Sequence, residues 1–189
     1  MDLIAGIQTE LPRGLYPALS AYRHEVFVGR LGWELDVRDG YEQDQFDRAD
    51  TIYVVARNQD GRITGCARLL PTMRPYLLGE VFPELLNGLR PPSSPDVWEL
   101  SRFAAVDLAN ASCSRRSQMS SPEAVRLLQG AIQTAAQLGA KRLITVSPIG
   151  IERLLRSAGF HAHRAGPPKV VGRHPLFACW IEVGTQVPE

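Results

Sequence analysis

Cysteine, lysine and long apolar stretches are all scarce in this chain of 189 residues. The three cysteines, Cys66, Cys113 and Cys179, lie far apart without a CxxC pair, which argues against a disulfide framework and against a zinc site. No apolar run reaches the roughly 18–20 residues that cross a bilayer, and the N-terminus lacks the basic and apolar regions of a signal peptide. We therefore expect a cytoplasmic protein that binds neither a metal ion nor a membrane.

Charge is nearly balanced over the whole chain, with a formal net charge of +1. The two halves differ, because residues 1–107 carry 16 acidic and 11 basic side chains (−5), whereas residues 108–189 carry 4 acidic and 10 basic ones (+6). This segregation predicts one pole that attracts a cation and another that attracts an acidic macromolecule, although a plain solvated surface can segregate in the same way. No aromatic series accompanies the arginines, so we do not expect binding of nucleic acid.

Hydrophobic periodicity predicts strands and helices in alternation. Residues 30–50 are polar and acidic and are predicted to form a long loop. Length and composition fit one domain over residues 1–189. The alternation of elements favours an α/β three-layer α-β-α sandwich with a mixed central sheet, and their order resembles that of the GCN5-related N-acyltransferase fold. Strands are predicted at residues 3–8, 51–57, 63–70, 97–106, 142–147, 160–163 and 177–183, and helices at 15–29, 81–86, 122–138 and 149–158.

Several charged residues stand in segments that are otherwise apolar. Arg23 lies beside the apolar stripe of the first helix, and Glu99 and Arg102 interrupt an apolar strand. A strand alternates its faces, so Glu99 and Arg102 should point to opposite sides unless a β-bulge intervenes. Because an unpaired buried charge is very costly, the arginines at 23, 68 and 102 are predicted to pair with Glu99, Asp44 and Asp47. A network that serves only the fold remains an alternative at this point.

Five short motifs follow one another between residues 22 and 103. They are Tyr22-Arg23-x-x-Val26-Phe27, Gly32-Trp33, Glu42-x-Asp44-x-x-Asp47, Gly65-x-x-Arg68-Leu69-Leu70-Pro71 and Trp98-Glu99-Leu100-Ser101-Arg102-Phe103. In order and spacing the chain resembles the acyl-homoserine-lactone synthases, the family that makes quorum-sensing autoinducers. The characteristic charged and aromatic positions of that family stand here as Arg23, Phe27, Trp33, Asp44, Asp47, Arg68, Glu99 and Arg102.

The resemblance implies an acyltransferase that uses S-adenosylmethionine as a consumed substrate and needs no cofactor. The amine of S-adenosylmethionine attacks an acyl thioester on acyl carrier protein, and its carboxylate then displaces methylthioadenosine to close the lactone. Glu99 is the implied base, acting directly or through water. The other implied catalytic residues are Arg23, Asp44, Asp47 and Arg102, and the implied S-adenosylmethionine site consists of Arg23, Phe27, Trp33, Asp44, Asp47, Arg68 and Arg102.

The resemblance also implies an acyl pocket, an oxyanion site and a docking surface. We expect an acyl chain of about six to ten carbons in an apolar pocket, with backbone N–H groups near residues 103–106 as oxyanion donors. The predicted pocket and phosphopantetheine residues are Leu100, Ser101, Phe103, Ala105, Val106, Met119, Leu143, Thr145, Val146, Ile149, Leu155 and Phe177. A monomeric enzyme is expected to dock the acidic carrier protein through Arg153, Arg156, Arg126, Lys141 and Arg142.

Two alternatives remain open from the sequence. A coenzyme-A-dependent N-acetyltransferase of the same fold would need a glycine-rich turn after the central strand to hold a pyrophosphate, and no such glycines follow Arg102–Ala105. A ligand-sensing domain without catalytic activity would bind S-adenosylmethionine without turnover.

Overall fold

The computed structural model of the protein describes residues 1–35, 37–109, 121–149, 151–172 and 174–184, apart from the side chains of Arg153 and Leu154. The chain divides into two compact units, one of Met1–Arg68 with Arg102–Gly130, the other of Leu69–Ser101 with Ala131–Glu189. A single domain over residues 1–189 therefore stays a prediction.

The first unit begins with an antiparallel strand pair. Strand β1 (Asp2–Ile7) pairs with β4 (Ile52–Arg57), so that Ala5 lies opposite Val54. The side chain of Asn58 accepts hydrogen bonds from the N–H groups of Asp60 and Arg62, which shapes the turn into β5 (Ile63–Pro71). The strand order in this unit is β1-β4-β5-β6, where β6 is Val97–Ala105.

The first helix confirms the periodicity of residues 15–29 but changes its winding halfway. Helix α1 (Leu15–Arg23) follows Gly14 and continues as a π-helix over His24–Arg30. In these wider turns the N–H of Leu31 donates to the carbonyl of Val26, five residues earlier. The apolar side of both segments packs into the core of the unit through Leu15, Leu19, Tyr22, Val26 and Phe27.

Residues 30–50 were predicted to be a loop, and that prediction is wrong in one part. Two short strands, β2 (Val37–Arg38) and β3 (Tyr41–Glu42), form a hairpin. The two residues between them, Asp39 and Gly40, both have positive φ, 52° and 81°. Asp-Gly is a favoured pair in such two-residue turns, because their twist matches that of the strands.

The second unit contains the parallel pair of the sheet. Strand β6 runs parallel to β7 (Arg142–Pro148), so that Leu100 lies beside Thr145, and β10 (His174–Glu182) runs antiparallel to β7. The next strands are β8 (Ala162–Arg164) and β9 (Lys169–Val171), and the strand order is β6-β7-β10-β8, with β9 also paired with β10. The remaining elements are α2 (Leu77–Val81), a 3-10 turn (Pro83–Leu86) and the helix after β7, α4 (Ile151–Ser157).

Helix α3 (Pro122–Gln137) contributes residues to both units and begins as its sequence predicts. The hydroxyl of Ser121 accepts from the N–H of Ala124, as an N-cap does, and Gly139 beyond the C-terminus has a φ of 86°. The combination of helices with a mixed sheet confirms the predicted α/β class. None of the helices within the described residues is long and apolar enough to cross a membrane.

Candidate active site

Six charged side chains of the first unit form one ion-pair network. Arg23 donates from Nε to Glu42 (2.5 Å) and from its two Nη atoms to the two oxygens of Asp47 (2.7 and 3.0 Å). Arg68 makes the same two-pronged contact with Asp44 (2.6 and 3.0 Å) and lies 3.2 Å from Asp47. Arg102 donates to Glu42 from Nε (3.1 Å) and Nη2 (2.8 Å), and from Nη2 also to Asp44 (2.8 Å).

The network is electrically balanced and almost fully buried. Three guanidinium groups face three carboxylates, and the side chains of Arg23, Arg68, Arg102, Glu42 and Asp47 are at most 4% exposed. Asp44 is the most accessible member, with 13% of its side chain exposed. Opposite charges in such a low-dielectric place interact strongly, and removal of one partner leaves an uncompensated buried charge.

Four separate segments bring these six residues together. Arg23 ends α1, Glu42 ends the hairpin strand β3, Arg68 lies in β5 and Arg102 in β6. Asp44 and Asp47 share a tight turn, in which the N–H of Asp44 donates to Asp47 (2.8 Å). Within this turn the two carboxylates, three residues apart in the sequence, lie close together.

Arg102 has an unusual backbone for a strand residue. Its φ is 50°, in the left-handed region that residues with a side chain rarely adopt, and it breaks the regular alternation of β6. Four successive residues of this strand, Glu99 to Arg102, are buried. The carbonyl of Arg102 accepts from the thiol of Cys66 at 3.1 Å. Strain of this kind costs on the order of 1–3 kcal/mol and tends to occur at functional sites.

The network sets the ionisation of its members. Burial alone would raise the pKa of Asp47, but the hydrogen bonds from Arg23 and the charges of Arg68 and Arg23 outweigh it and hold the pKa well below its ordinary value. Burial likewise opposes charge on Arg23, yet Asp47 and Glu42 raise its pKa above the usual range. Tyr53 donates to Asp47 at 3.0 Å, and burial with the Asp47 charge raises the pKa of its phenol.

Aromatic rings lie against two of the guanidinium groups. Phe27 and Trp33 stack with ring centroids 4.9 Å apart, and the guanidinium carbon of Arg102 lies 5.7 Å from the Phe27 centroid. Arg68 lies 5.9 Å from the Phe46 centroid. Phe27 is buried and Trp33 is half-buried, so this stack reaches from the core of the unit toward its surface.

The predicted oxyanion donors include one N–H that already has a partner. The hydroxyl of Tyr22 accepts from the N–H of Val106 (3.1 Å) and donates to the carbonyl of the same residue (2.8 Å). Both residues are buried. The N–H of Val106 is therefore poorly placed to donate to a thioester oxyanion in this conformation. The N–H groups of Phe103, Ala104 and Ala105 remain as the expected donors.

Glu99 lies in the second unit and is fully buried. Its carboxylate accepts from the N–H groups of Leu77 (2.9 Å) and Leu78 (2.7 Å) at the start of α2. An ionised carboxylate can accept about four hydrogen bonds, so these two leave capacity for others. Of the three carboxylates predicted to pair with the arginines, Asp44 and Asp47 do so, whereas Glu99 accepts from these two backbone N–H groups. Glu42 was not singled out, although the Asp-Gly turn that places it is visible in the sequence, and neither was Tyr53.

The predicted acyl-pocket residues do not share one face of the sheet. In β7, Leu143 and Thr145 point to one face and Val146 to the other. Leu155 and Phe177 are buried, whereas 53% of Ile149 is exposed. Leu100 and Ser101 belong to the second unit, and Phe103, Ala105 and Val106 to the first. Met119 lies outside the described residues.

The predicted docking residues are mostly at the surface. Lys141 pairs with Asp96, and 74% of its side chain is exposed. Arg156 is 60% exposed beside Glu152, while Arg142 lies 4.5 Å above the ring of Trp180. Arg126 is exposed on α3, and the side chain of Arg153 is not among those that the structure describes.

Comparison with known proteins gives full-length matches. The autoinducer synthase family matches residues 9–187. The acyl-homoserine-lactone synthase of Acinetobacter nosocomialis is 55% identical over 183 residues, which are 97% of this chain and 100% of that protein.

Solved structures agree with the sequence matches. TofI, in a ternary complex with an inhibitor and MTA, has a TM-score of 0.82 at 43% identity and covers 97% of this chain and 92% of its own. BjaI, a CoA-dependent acyl-homoserine lactone synthase solved with SAM and isopentyl-CoA, has a TM-score of 0.81 at 26% identity, with 97% and 82% covered.

A Pseudomonas aeruginosa acyl-CoA N-acyltransferase, 18% identical with a TM-score of 0.62 over 95% of this chain and 97% of its own, shares the fold alone. It supports the predicted N-acyltransferase-like fold. Together with the family match and the Acinetobacter relative, these findings show that the chain belongs to the autoinducer synthases and is an acyltransferase, an acyl-homoserine-lactone synthase.

Proposed function

We propose that this enzyme acylates the amine of S-adenosylmethionine with an acyl group from acyl carrier protein and then closes the lactone, releasing methylthioadenosine. S-adenosylmethionine is a consumed substrate in this reaction, and no resident cofactor takes part. The observation that carries the proposal is the balanced network of three arginines and three carboxylates beside the Phe27–Trp33 stack.

The balance of the network suits a ligand that carries charges of both signs. S-adenosylmethionine has a carboxylate, an ammonium and a sulfonium, so its carboxylate can bind an arginine while a cationic group faces Asp44. When the charged groups of the substrate bind in this way, every buried charge of the network keeps a partner of opposite sign. The two Nη atoms of Arg23 are already bound by both oxygens of Asp47, and those of Arg68 by both oxygens of Asp44, which makes Arg102 the better candidate for contact with the substrate carboxylate.

Aromatic side chains complete the proposed substrate site. Trp33 is half-buried and offers a ring face to the adenine or to the sulfonium. TofI has been solved with MTA and BjaI with SAM, which supports binding of the same ligand type here. Glu99 is proposed as the base that takes the ammonium proton, directly or through water, because the attacking amine must be neutral.

Acyl carrier protein is the proposed acyl donor because of charge. The later part of the chain is basic, and exposed arginines such as Arg156 can attract an acidic partner. The chain also lacks the glycine-rich turn that would hold the pyrophosphate of coenzyme A after β6. A medium acyl chain of about six to ten carbons is proposed for the apolar pocket.

A coenzyme A thioester is the second candidate donor, since BjaI is a CoA-dependent synthase with the same fold. The alternative reaction is therefore acyl transfer from coenzyme A to S-adenosylmethionine, in place of acetyl transfer from coenzyme A to an unrelated amine. The two donors share the acyl group and the thioester, and they differ in whether a protein surface or a nucleotide must be recognised.

Mass spectrometry of the reaction products tests the proposal. The enzyme is incubated with S-adenosylmethionine and matched acyl chains on carrier protein and on coenzyme A, with the Glu99→Ala variant alongside. We expect acyl-homoserine lactone and methylthioadenosine in equal amounts, fastest from a medium chain on carrier protein, and a loss of about 100-fold or more in the variant. Faster turnover of the coenzyme A thioesters would establish the second donor instead.

A further inference from the structure

Glu42 is the member of the network that stands outside the eight characteristic positions. It is fully buried, and each of its two carboxylate oxygens binds a different arginine. We propose that Glu42 is a positioning residue that holds Arg102 so that its Nη1 stays free for the carboxylate of S-adenosylmethionine. This inference rests on the proposed function.

The hydrogen bonds of Arg102 show which of its atoms is left for a ligand. Glu42 Oε1 accepts from Nε and Nη2, and Asp44 accepts from Nη2. Nη1 has no hydrogen-bond partner among the residues that the structure describes, and it is not among their fully buried unsatisfied atoms. One edge of the guanidinium is therefore fixed by protein, while the remaining nitrogen is a charged donor with no partner in the described part of the chain.

Glu42 is itself fixed from the other side. Its Oε2 accepts from Nε of Arg23, whose fork is bound by Asp47. Glu42 also ends the short hairpin, where its register opposite Val37 is set by the turn at Asp39 and Gly40. A guanidinium held in one orientation loses less conformational entropy when it binds a carboxylate than a mobile one does.

Replacement of Glu42 by glutamine should break its hydrogen bonds to one of the two arginines. The carboxamide keeps one acceptor oxygen and places an NH₂ donor against either Arg23 or Arg102, where two donors cannot pair. With the NH₂ against Arg102, the contacts that hold its guanidinium are lost directly. With the NH₂ against Arg23, the side chain at position 42 loses its own anchor, and a neutral oxygen replaces the carboxylate in the contacts to Arg102. Glu42→Asp keeps the charge on a shorter side chain and should restore part of the effect.

Isothermal calorimetry measures the affinities for S-adenosylmethionine and for its decarboxylated analogue, without any acyl donor. The comparison shows whether Glu42 positions Arg102 for the substrate carboxylate or only stabilises the fold. We expect the parent to prefer the complete substrate by about tenfold or more, as for a charged hydrogen bond. Glu42→Gln should lose that preference while its affinity for the decarboxylated analogue stays within about twofold, and Glu42→Asp should be intermediate. Thr51→Val is the matched control, because it removes hydrogen bonds to the N–H of Arg48 and the carbonyl of Phe46 in the neighbouring turn and leaves Arg23, Arg68 and Arg102 unchanged.

Other outcomes would overturn the proposal. A folded Glu42→Gln protein that keeps the preference, or one that loses affinity equally for both ligands as a general brace would, contradicts positioning. Failure of both Glu42 variants to fold would show that the carboxylate serves the fold alone. A parent that binds both ligands equally would contradict the proposed carboxylate site itself, and a parent that binds neither would contradict the proposed substrate.

Discussion

At the scale of single residues, this enzyme concentrates buried charge in one place of its first unit. Arg23, Arg68 and Asp47 each lie almost entirely out of water, which costs several kcal/mol per ion unless the partners are well placed. The two-pronged arginine contacts supply that placement. The same residues consequently contribute to stability and to the proposed substrate site, and their variants need separate measurements of folding and binding.

Asp47→Asn should destabilise the enzyme strongly at neutral pH. The substitution leaves Arg23 and Arg68 with one charged partner fewer in a buried place, so we expect a loss of about 3–5 kcal/mol in the free energy of unfolding. Urea denaturation measures this loss. Asp60→Asn, in an exposed ion pair with Arg62, is the control and should cost less than about 1 kcal/mol. Similar losses in the two variants would contradict the strength assigned to the network.

The free energy of unfolding of Asp47→Asn should depend on pH less steeply in acid than that of the parent protein. The pKa of Asp47 is lower in the folded state than its unfolded value, which is near 3.9, so the folded protein binds fewer protons at this group. Its contribution is complete above that value and is lost as the pH falls toward the folded-state pKa. Below pH 4 we therefore expect a shallower fall in stability for Asp47→Asn than for the parent, by up to about one proton.

At the scale of elements, local backbone features decide where the charged groups lie. The π-helical turns after Arg23 carry Phe27 against Trp33, and the Asp39-Gly40 hairpin carries Glu42 into the core. The positive φ of Arg102 breaks the alternation of β6. None of these features is regular helix or strand, so amphipathic periodicity alone does not reveal them.

Strand β5 contains a glycine that its packing requires. A Cβ on Gly65 would lie 3.0 Å from Leu127 Cδ2, 3.1 Å from the carbonyl oxygen of Ala104 and 3.3 Å from Ala56 Cβ. The backbone oxygen cannot move aside cheaply, so Gly65→Ala should lower stability by about 1–3 kcal/mol. Thermal or urea unfolding tests this. Gly29→Ala, whose nearest contact would be 3.6 Å, should change stability by less than about 1 kcal/mol.

At the scale of the whole molecule, charge is segregated along the chain. The acidic residues of the first 107 positions include the network carboxylates, whose charges are neutralised by buried arginines. The basic excess of the later positions includes exposed groups such as Arg156 and Lys141. The network charges cancel in equal numbers, so the acidic excess of the first 107 positions lies outside the network. The exposed basic groups of the later positions are those that can attract the proposed acidic carrier protein.

Charge reversal at Arg156 tests that idea. Arg156→Glu should raise the KM for acyl carrier protein by about three- to tenfold at low salt and leave the KM for S-adenosylmethionine within about twofold. Arg62→Glu reverses an equally exposed arginine in the acidic half and should change neither value. The difference should shrink at high salt, because salt screens exposed charges. Equal effects on both substrates would contradict docking at Arg156.

The sequence by itself determined the class and the family of this protein. Alternating periodicities predict the helices and strands of a mixed α/β fold, because burial of apolar faces dominates folding. The spacing of the motifs from Arg23 to Arg102 identifies the synthase family, which full-length matches confirm. The N-cap at Ser121 and the turn before β5 are local features of the same kind, because capping and turn formation depend only on neighbouring residues.

The tertiary structure alone decided which charges meet. Glu42 became the partner of Arg23 and Arg102 across 19 and 60 residues of sequence, and the Val106 N–H was taken by Tyr22 across 84. Such partners depend on how distant segments pack and on small departures from regular backbone. Pairing energy is gained only when the groups arrive within hydrogen-bond distance, so no local pattern in the sequence specifies them.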